Sequence, residues 1–357
     1  MNRRLFHLTA RSRGWFPVFI VAIVIGCLLA APVTVRAQQA DPLPARLDEG
    51  VSRGLAFLAA QQKPDGSLDS GGPRVAMTAL GLMSFLAAGH TPDVGLHGET
   101  VRSAIDYLLS VAPADGYFGK VDGSRMYGHG ITTLALAEAA GIEPDPERRQ
   151  KMLAAIARAV KVILDAQDVK KSANDTGGWR YEPQSVDSDL SLSGWNALAL
   201  RASQNAGIEV PKERVARAVQ YVLRCYRKDK KGFAYQAGHE PSTAMTGVGL
   251  LNLRLLDSAD YPEAAAAAEF LANNLATETT RYPYYATYYA AQAAFQAGGA
   301  TWQAVWPPTM DRLLAQQMPD GGWPASRTGE EPGRVYSTSM SVLTLTVPYR
   351  LLPIYQR

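Results

Sequence analysis

Two kinds of helical pattern alternate along the chain. In RLDEGVSRGLAFLAAQQ (46–62) and PERRQKMLAAIARAVKVILDAQ (146–167), apolar residues recur at helical spacing with charges on the opposite face. The segments between them are small and apolar nearly all round: VAMTALGLMSFLAAG (75–89), GITTLALAEAAG (130–141), DLSLSGWNALALRASQNAG (189–207), STAMTGVGLLNLRLL (242–256), YYATYYAAQAAFQAGG (284–299) and YSTSMSVLTLTV (336–347). Ala, Leu and Met favour helix over strand, and no convincing period-two alternation interrupts them. An amphipathic helix buries one stripe, whereas a helix apolar on every side must be covered on every side. The alternation therefore predicts an outer ring of helices around a buried inner ring.

Glycines followed by bulky residues punctuate the pattern: Gly66 in PDGSL, Gly116 in ADGYF, Gly177 in TGGWRY, Gly232 in KGFAY and Gly321 in PDGGW. Gly66 to Gly321 spans 255 positions, five intervals averaging 51, and TETTRYPYY near 280 stands where the missing member belongs. Six units fit. Inner helices are expected to end at Gly89, Gly141, Gly207 and Gly298, glycine being the residue that most readily takes the left-handed turn after a helix. An open solenoid needs polar caps, and neither end shows one. The expected fold is all-α: an α/α toroid of six helical hairpins over residues 38–357.

Arg53-Gly54, Phe57-Leu58, Gln62 and Gly66 match the spaced pattern (K/R)-G-x-x-(aromatic)-L-x-x-x-Q-x-x-x-G-x-W, departing only where Leu68 replaces Trp. Gln167, Gly177 and Trp179 repeat its second half across a longer insertion. Gln317, Gly321 and Trp323 repeat it again without the Arg-Gly start. The chain thus resembles the squalene-cyclase and protein-prenyltransferase repeat superfamily over its whole length after the leader. GGWRYEP, SLSGWNALAL and GRVYSTSMSVLTL are similar to exported bacterial members of that group. The resemblance implies an α/α toroid whose Gln-Trp (QW) motifs tie outer helices to the next turn, without itself assigning chemistry.

Composition changes the picture at the N-terminus. Arg3, Arg4, Arg11 and Arg13 precede the apolar run WFPVFIVAIVIGCLLAA, and Val35 and Ala37 offer small residues at a cleavage site. Residues 1–37 read as a secretory signal peptide, with an uncleaved membrane anchor as the alternative. RRLF is a weak twin-arginine candidate and VIGC a loose lipobox. The leader holds five of the 36 basic residues and no acid, so the remainder carries 31 basic against 33 acidic side chains. That balance removes the main support for nucleic-acid binding. Only Cys225 remains beyond the leader, which excludes an intramolecular disulfide. The expected location is periplasmic or secreted, with no membrane span after cleavage.

The chemistry of the resembled families is incomplete here. A class II cyclase uses D-x-D-D; VDSDLSL supplies Asp187 and Asp189 but has Leu190 in the last place. The resemblance would make Asp189 the proton donor, whereas its position before LSLSGWNALAL equally suits a helix N-cap. Cys225 lacks the neighbouring Asp and downstream His of a zinc prenyltransferase site. His90, His97, His129 and His239 lack metal-ligand spacing, so no metal and no cofactor are expected. Thioester, nucleophile-elbow and phosphate-loop patterns are also missing.

Loop lengths locate a working face. Inner-to-outer connections such as GIEPDP and GIEVP are short, whereas outer-to-inner loops at 111–127, 168–188, 227–240 and 318–335 are long. A barrel gathers the long loops at one end, together with all the inner-helix N-termini. Arg125, Arg180, Arg281 and Arg334 fall there, with Tyr117, Tyr127, Trp179, Tyr181, Tyr235, Tyr282, Tyr284, Tyr285, Trp323 and Tyr336. Two readings follow. One is an exported binding or scaffold protein holding an elongated or anionic ligand at this rim, such as an isoprenyl diphosphate, an acidic glycan or a peptide carboxylate. The other is an enzyme, an isoprenoid cyclase or transferase or a polysaccharide lyase, with Asp189 as acid assisted by Asp187, His129 and Tyr284. In the bland alternative the aromatics plug the barrel and the arginines pair with neighbouring acids.

Overall fold

The structure, a computed structural model, describes residues 44–69, 71–257, 260–277, 279–329 and 331–356. The expected leader at 1–37 lies outside them, and Leu43–Arg357 forms one compact unit. Among the described residues, twelve α-helices alternate between two rings. The outer helices are α1 (Ala45–Gln61), α3 (Gly98–Ser110), α5 (Pro146–Asp168), α7 (Lys212–Arg224), α9 (Pro262–Asn273) and α11 (Gly299–Gln316). The inner helices are α2 (Arg74–Ala87), α4 (Arg125–Ala140), α6 (Leu190–Asn205), α8 (Thr243–Leu256), α10 (Pro283–Ala297) and α12 (Gly333–Leu345). Each inner helix packs on the next, and α12 returns to pack on α2. The six hairpins therefore close into an α/α toroid, as the alternation predicts. Among the described residues no helix is long and apolar enough to cross a membrane.

The helix types follow from residue placement. Every residue of α2 after Arg74 is buried, whereas α1 buries only a stripe including Leu47, Val51, Leu55 and Leu58. Gly89, Gly207 and Gly298 follow their inner helices with φ of 87°, 94° and 69°. Gly141 does not behave as expected. It ends α4 at φ −68°, in the right-handed region, where the special freedom of glycine is not used.

The corner between outer and inner helices repeats one device. At the end of α1, Gln62 donates from Nε2 to the Gly66 carbonyl of its own turn and to Thr100 O in the first turn of α3. Gln167 does the same to Gly177 O and to Arg214 O of α7, and Gln317 to Gly321 O and to Gly50 O of α1. The last of these wraps the C-terminal repeat onto the first and closes the ring. The turn glycines sit flush on the following outer helix. A methyl group on Gly66, Gly177 or Gly321 would stand 2.1, 2.3 or 2.4 Å from the carbonyl oxygen of Ser103, Arg217 or Arg53.

The Arg-Gly start of α1 serves this closure. Arg53 donates to Met318 O, and Gly54 leaves room for the Trp323 ring 2.9 Å from where its side chain would begin. The spaced pattern read in the sequence therefore spans two junctions. Its Arg-Gly half receives the previous repeat's corner, and its Gln-Gly half grips the next outer helix.

A hydroxyl pins four of the corners from the inner side. The bulky residue after the glycine donates its backbone N–H to a Ser or Thr near the start of the next inner helix: Leu68 to Thr78, Trp179 to Ser193, Phe233 to Thr246 and Trp323 to Thr338.

Gly321→Ala and Gly238→Ala separate corner contact from backbone strain, because both glycines have positive φ but only Gly321 faces a neighbour. Chemical denaturation should show Gly238→Ala costing about 1 kcal/mol and Gly321→Ala at least about 2 kcal/mol more. Equal losses would contradict this closure.

Candidate functional site

The long loops meet at one end of the barrel, and Arg180 is their hub. Its Nη1 donates to Asp189 Oδ2 at 2.7 Å and to the Tyr235 hydroxyl at 2.6 Å, while Nε reaches Asp187 Oδ2 at 3.0 Å. The guanidinium lies over the Tyr181 ring, 4.5 Å from its centre, and 5.4 Å from that of Tyr235. The Tyr181 and Tyr235 hydroxyls are 3.0 Å apart. Tyr127 hydrogen-bonds Ser191 in the first turn of α6, and its ring stands 6.1 Å from that of Tyr181. Arg125 pairs with Glu182 at 3.2 Å, and Tyr117 donates to the same carboxylate. Backbone bonds knit the loops together: Met126 N–H to Tyr181 O, and Leu190 N–H to Tyr235 O.

Tyr117, Tyr127, Arg180, Tyr181, Asp187 and Tyr235 are all partly exposed, so the cluster forms a fixed aromatic and polar platform open to solvent. Its two arginines face three carboxylates, Glu182, Asp187 and Asp189. The cationic rim expected from the sequence is thus already compensated here.

Four of the inner-helix N-termini are occupied too. Asp189 caps α6 by accepting from Leu192 N–H at 2.9 Å, and Ser242 caps α8. Asp122 accepts from Val75 and Ala76 of α2, and Glu331 from Tyr284 and Tyr285 of α10. Buried N–H groups must find acceptors, and the chain supplies them.

Other expected site residues lie elsewhere. Asp189 is fully buried and already carries both the cap bond and the Arg180 pair, while burial pushes its carboxyl up. His129 is buried between the rings with Nε2 on Ala159 O and its ring against Tyr117. It stands in α4 where the other corners place a Ser or Thr, and burial lowers it to about 4, so it is neutral and removed from solvent. Trp179 and Trp323 are fully buried corner residues whose indole N–H groups donate to Ile163 O and Leu313 O. Arg334 braces the sixth corner through Asp320, Trp323 O and the Phe57 ring. Arg281 is exposed over Tyr282, and Tyr336 is half-buried on α12.

The tyrosine cluster of α10 divides. Tyr284 donates to Pro324 O and borders a cavity of about 200 Å³ between α10 and α11, walled also by Thr287, Arg312 and Gln316. Tyr285 and Tyr289 touch at 4.7 Å between ring centres. Tyr289 and Tyr288 meet Trp195 of α6, at 5.4 and 6.2 Å. These rings occupy the space inside the inner ring. The Tyr285 and Tyr289 hydroxyls are buried without a hydrogen-bond partner. Sequence reasoning missed Glu182, Ser191, Trp195 and Glu331, which take their roles from contacts across loops; Glu182, inside GGWRYEP, is the one with a local signal.

No protein-family model matches the sequence, and no curated protein sequence matches it. Solved structures match in fold. A protein from Actinoplanes aligns with a TM-score of 0.58 at 17% identity, over 85% of this chain and 98% of that one. The type II terpene cyclase MstE from Scytonema, in its apo form, gives 0.56 at 17% identity, over 88% and 100%. A glycosidase gives 0.58 at 13% identity, over 87% and 100%. The α/α toroid of the terpenoid cyclases and of this glycosidase is therefore the fold of this chain.

Burial raises Glu331 to about 7 from an ordinary 4.5. A raised carboxyl contributes stability that is present below the unfolded value and lost as pH rises through the folded one. Between pH 4.5 and 7 the wild type should lose on the order of 3 kcal/mol relative to Glu331→Gln, read from denaturant melts at each pH. Parallel pH profiles would contradict the assignment.

Proposed function

We propose that this chain is a binding protein that holds an elongated, hydroxyl-rich ligand, a glycan segment, across the long-loop rim. The observation that carries this reading is the platform around Arg180. Tyr127, Tyr181 and Tyr235 offer ring faces, and Arg125, Arg180, Glu182 and Asp187 surround them with planar donors and acceptors. Ring faces stack on the apolar side of a sugar, and fixed polar groups select its hydroxyls; hydrogen-bonded neighbours hold them in place beforehand. The compensated charge supports recognition by hydrogen bonds over attraction to an anion. Export of the protein rests on the arginine-rich leader and its apolar run.

The fold neighbours bracket the choice. One is a glycosidase, and MstE has been captured with geranylgeranyl dihydroxybenzoate as substrate. An isoprenoid chain needs an apolar chamber, and here Trp195, Tyr285, Tyr288 and Tyr289 fill the barrel interior. An acid role for Asp189 has less support, because its oxygens already serve the α6 cap and Arg180.

The test uses exported protein whose N-terminus is checked for Gln38. Calorimetric titration compares a neutral oligosaccharide, an acidic oligosaccharide and geranylgeranyl diphosphate. One of the oligosaccharides should bind, and Tyr181→Ala with Tyr235→Ala should weaken it at least about tenfold, roughly 1.4 kcal/mol. Binding of the diphosphate alone, or an unchanged affinity in the double variant, would overturn the reading.

A further inference from the structure

The end of the barrel opposite the rim is closed by the chain's own last residues. After α12 the backbone makes a short 3-10 turn at Val347–Tyr349, reverses on Arg350 at φ 57°, and enters a second 3-10 turn at Pro353–Tyr355 that packs on α6. Polar contacts seat this segment. The Tyr355 hydroxyl bonds the Tyr288 hydroxyl, Gln296 Nε2 donates to Tyr355 O at 3.1 Å, and Ile354 N–H donates to Glu138 Oε2 at 3.1 Å. Tyr288 in turn is stacked on Trp195. Tyr355 is 6% exposed and Glu138 is 2% exposed.

A segment that only sealed the barrel could satisfy its buried N–H and C=O groups with neutral partners, whereas here the Ile354 N–H is met by an ionisable carboxyl. Glu138 lies in a stretch of α4 made of Ala, Leu and Thr, and among the described residues its one hydrogen bond is to the tail. Burying a carboxyl with a single neutral donor is expensive, and a neutral amide such as glutamine would serve the Ile354 N–H at lower cost. Burial raises it to about 8, with Tyr288 and Tyr355 as the titratable groups beside it. The contacts describe how a short peptide is held: a phenol by a phenol, a peptide N–H by a carboxyl, and a peptide carbonyl by an amide.

We propose that Glu138, Tyr288 and Gln296, with Trp195 behind them, form a second binding site for a tyrosine-bearing peptide, and that Ile354–Tyr355 occupies it as an internal stand-in. An external ligand must displace the tail, so its apparent affinity in the intact chain is reduced by the fraction of time the site stands open. This site is independent of the rim.

Hydrogen exchange by mass spectrometry on the full chain tests the opening. Tail amides at 354–356 should exchange at least about 100-fold faster than those of α6 and α10, and excess synthetic peptide LLPIYQ should speed them further. Tail protection equal to that of α10, or no response to the peptide, would overturn the proposal. In the full chain, Tyr355→Ala should bind fluorescently labelled LLPIYQ at least about tenfold tighter than wild type. Adding Glu138→Leu should abolish that gain, and adding Glu138→Gln instead, which keeps an acceptor, should retain it. Equal affinities in wild type and Tyr355→Ala would mean that the tail is only a structural seal.

Discussion

One side-chain amide at the end of an outer helix governs the whole molecule. Gln62, Gln167 and Gln317 each use a single Nε2 to hold two carbonyls, one in their own turn and one near the start of the outer helix they pack on. Neighbouring repeats are thereby fixed at a set angle, and the Gln317 bond to Gly50 turns a row of hairpins into a ring. Glycine is required beside it because the corner lies against the next helix's backbone, with no room for a side chain. A solenoid built from the same helices would leave the first and last inner faces open to water.

Ring closure also decides what the two ends can do. It gathers six inner-helix N-termini at one rim, where their unpaired N–H groups would attract anions if left free. The chain instead satisfies those described above with Asp122, Asp189, Ser242 and Glu331. In the proposed function, recognition at that end therefore falls to the faces of the tyrosines around Arg180 and not to free helix ends. The connections at the other end are mostly short, and the tail closes it on Glu138 and Tyr288.

Much of the architecture was legible in the sequence. The alternation of amphipathic and all-apolar helices, the glycine register and the side bearing the long loops each rest on local patterns. The cap at Asp189 was legible too, because an Asp before an apolar run has a local meaning. What was not legible depends on distant partners. Arg334 looked like a ligand group until Asp320 and the Phe57 ring were found against it. His129 looked chemical because histidine often is, yet its place in the repeat makes it a corner residue. Trp179 and Trp323 stand among the rim's candidate ligand aromatics in the sequence, although the corner that contains them buries its bulky residue. The contact between Glu138 and Ile354 joins residues 216 positions apart, and no local pattern announces it.

The central functional claim is that ligand lies on the rim platform and not inside the barrel. Hydroxyl-radical footprinting of the protein, with and without an oligosaccharide mixture, tests it most directly. The account predicts that Tyr127, Tyr181 and Tyr235 lose reactivity when ligand is added, while Tyr288 and Tyr289 stay unreactive throughout. Protection confined to the cavity beside Tyr284, or a change at Tyr288 and Tyr289 with none at the rim, would contradict it.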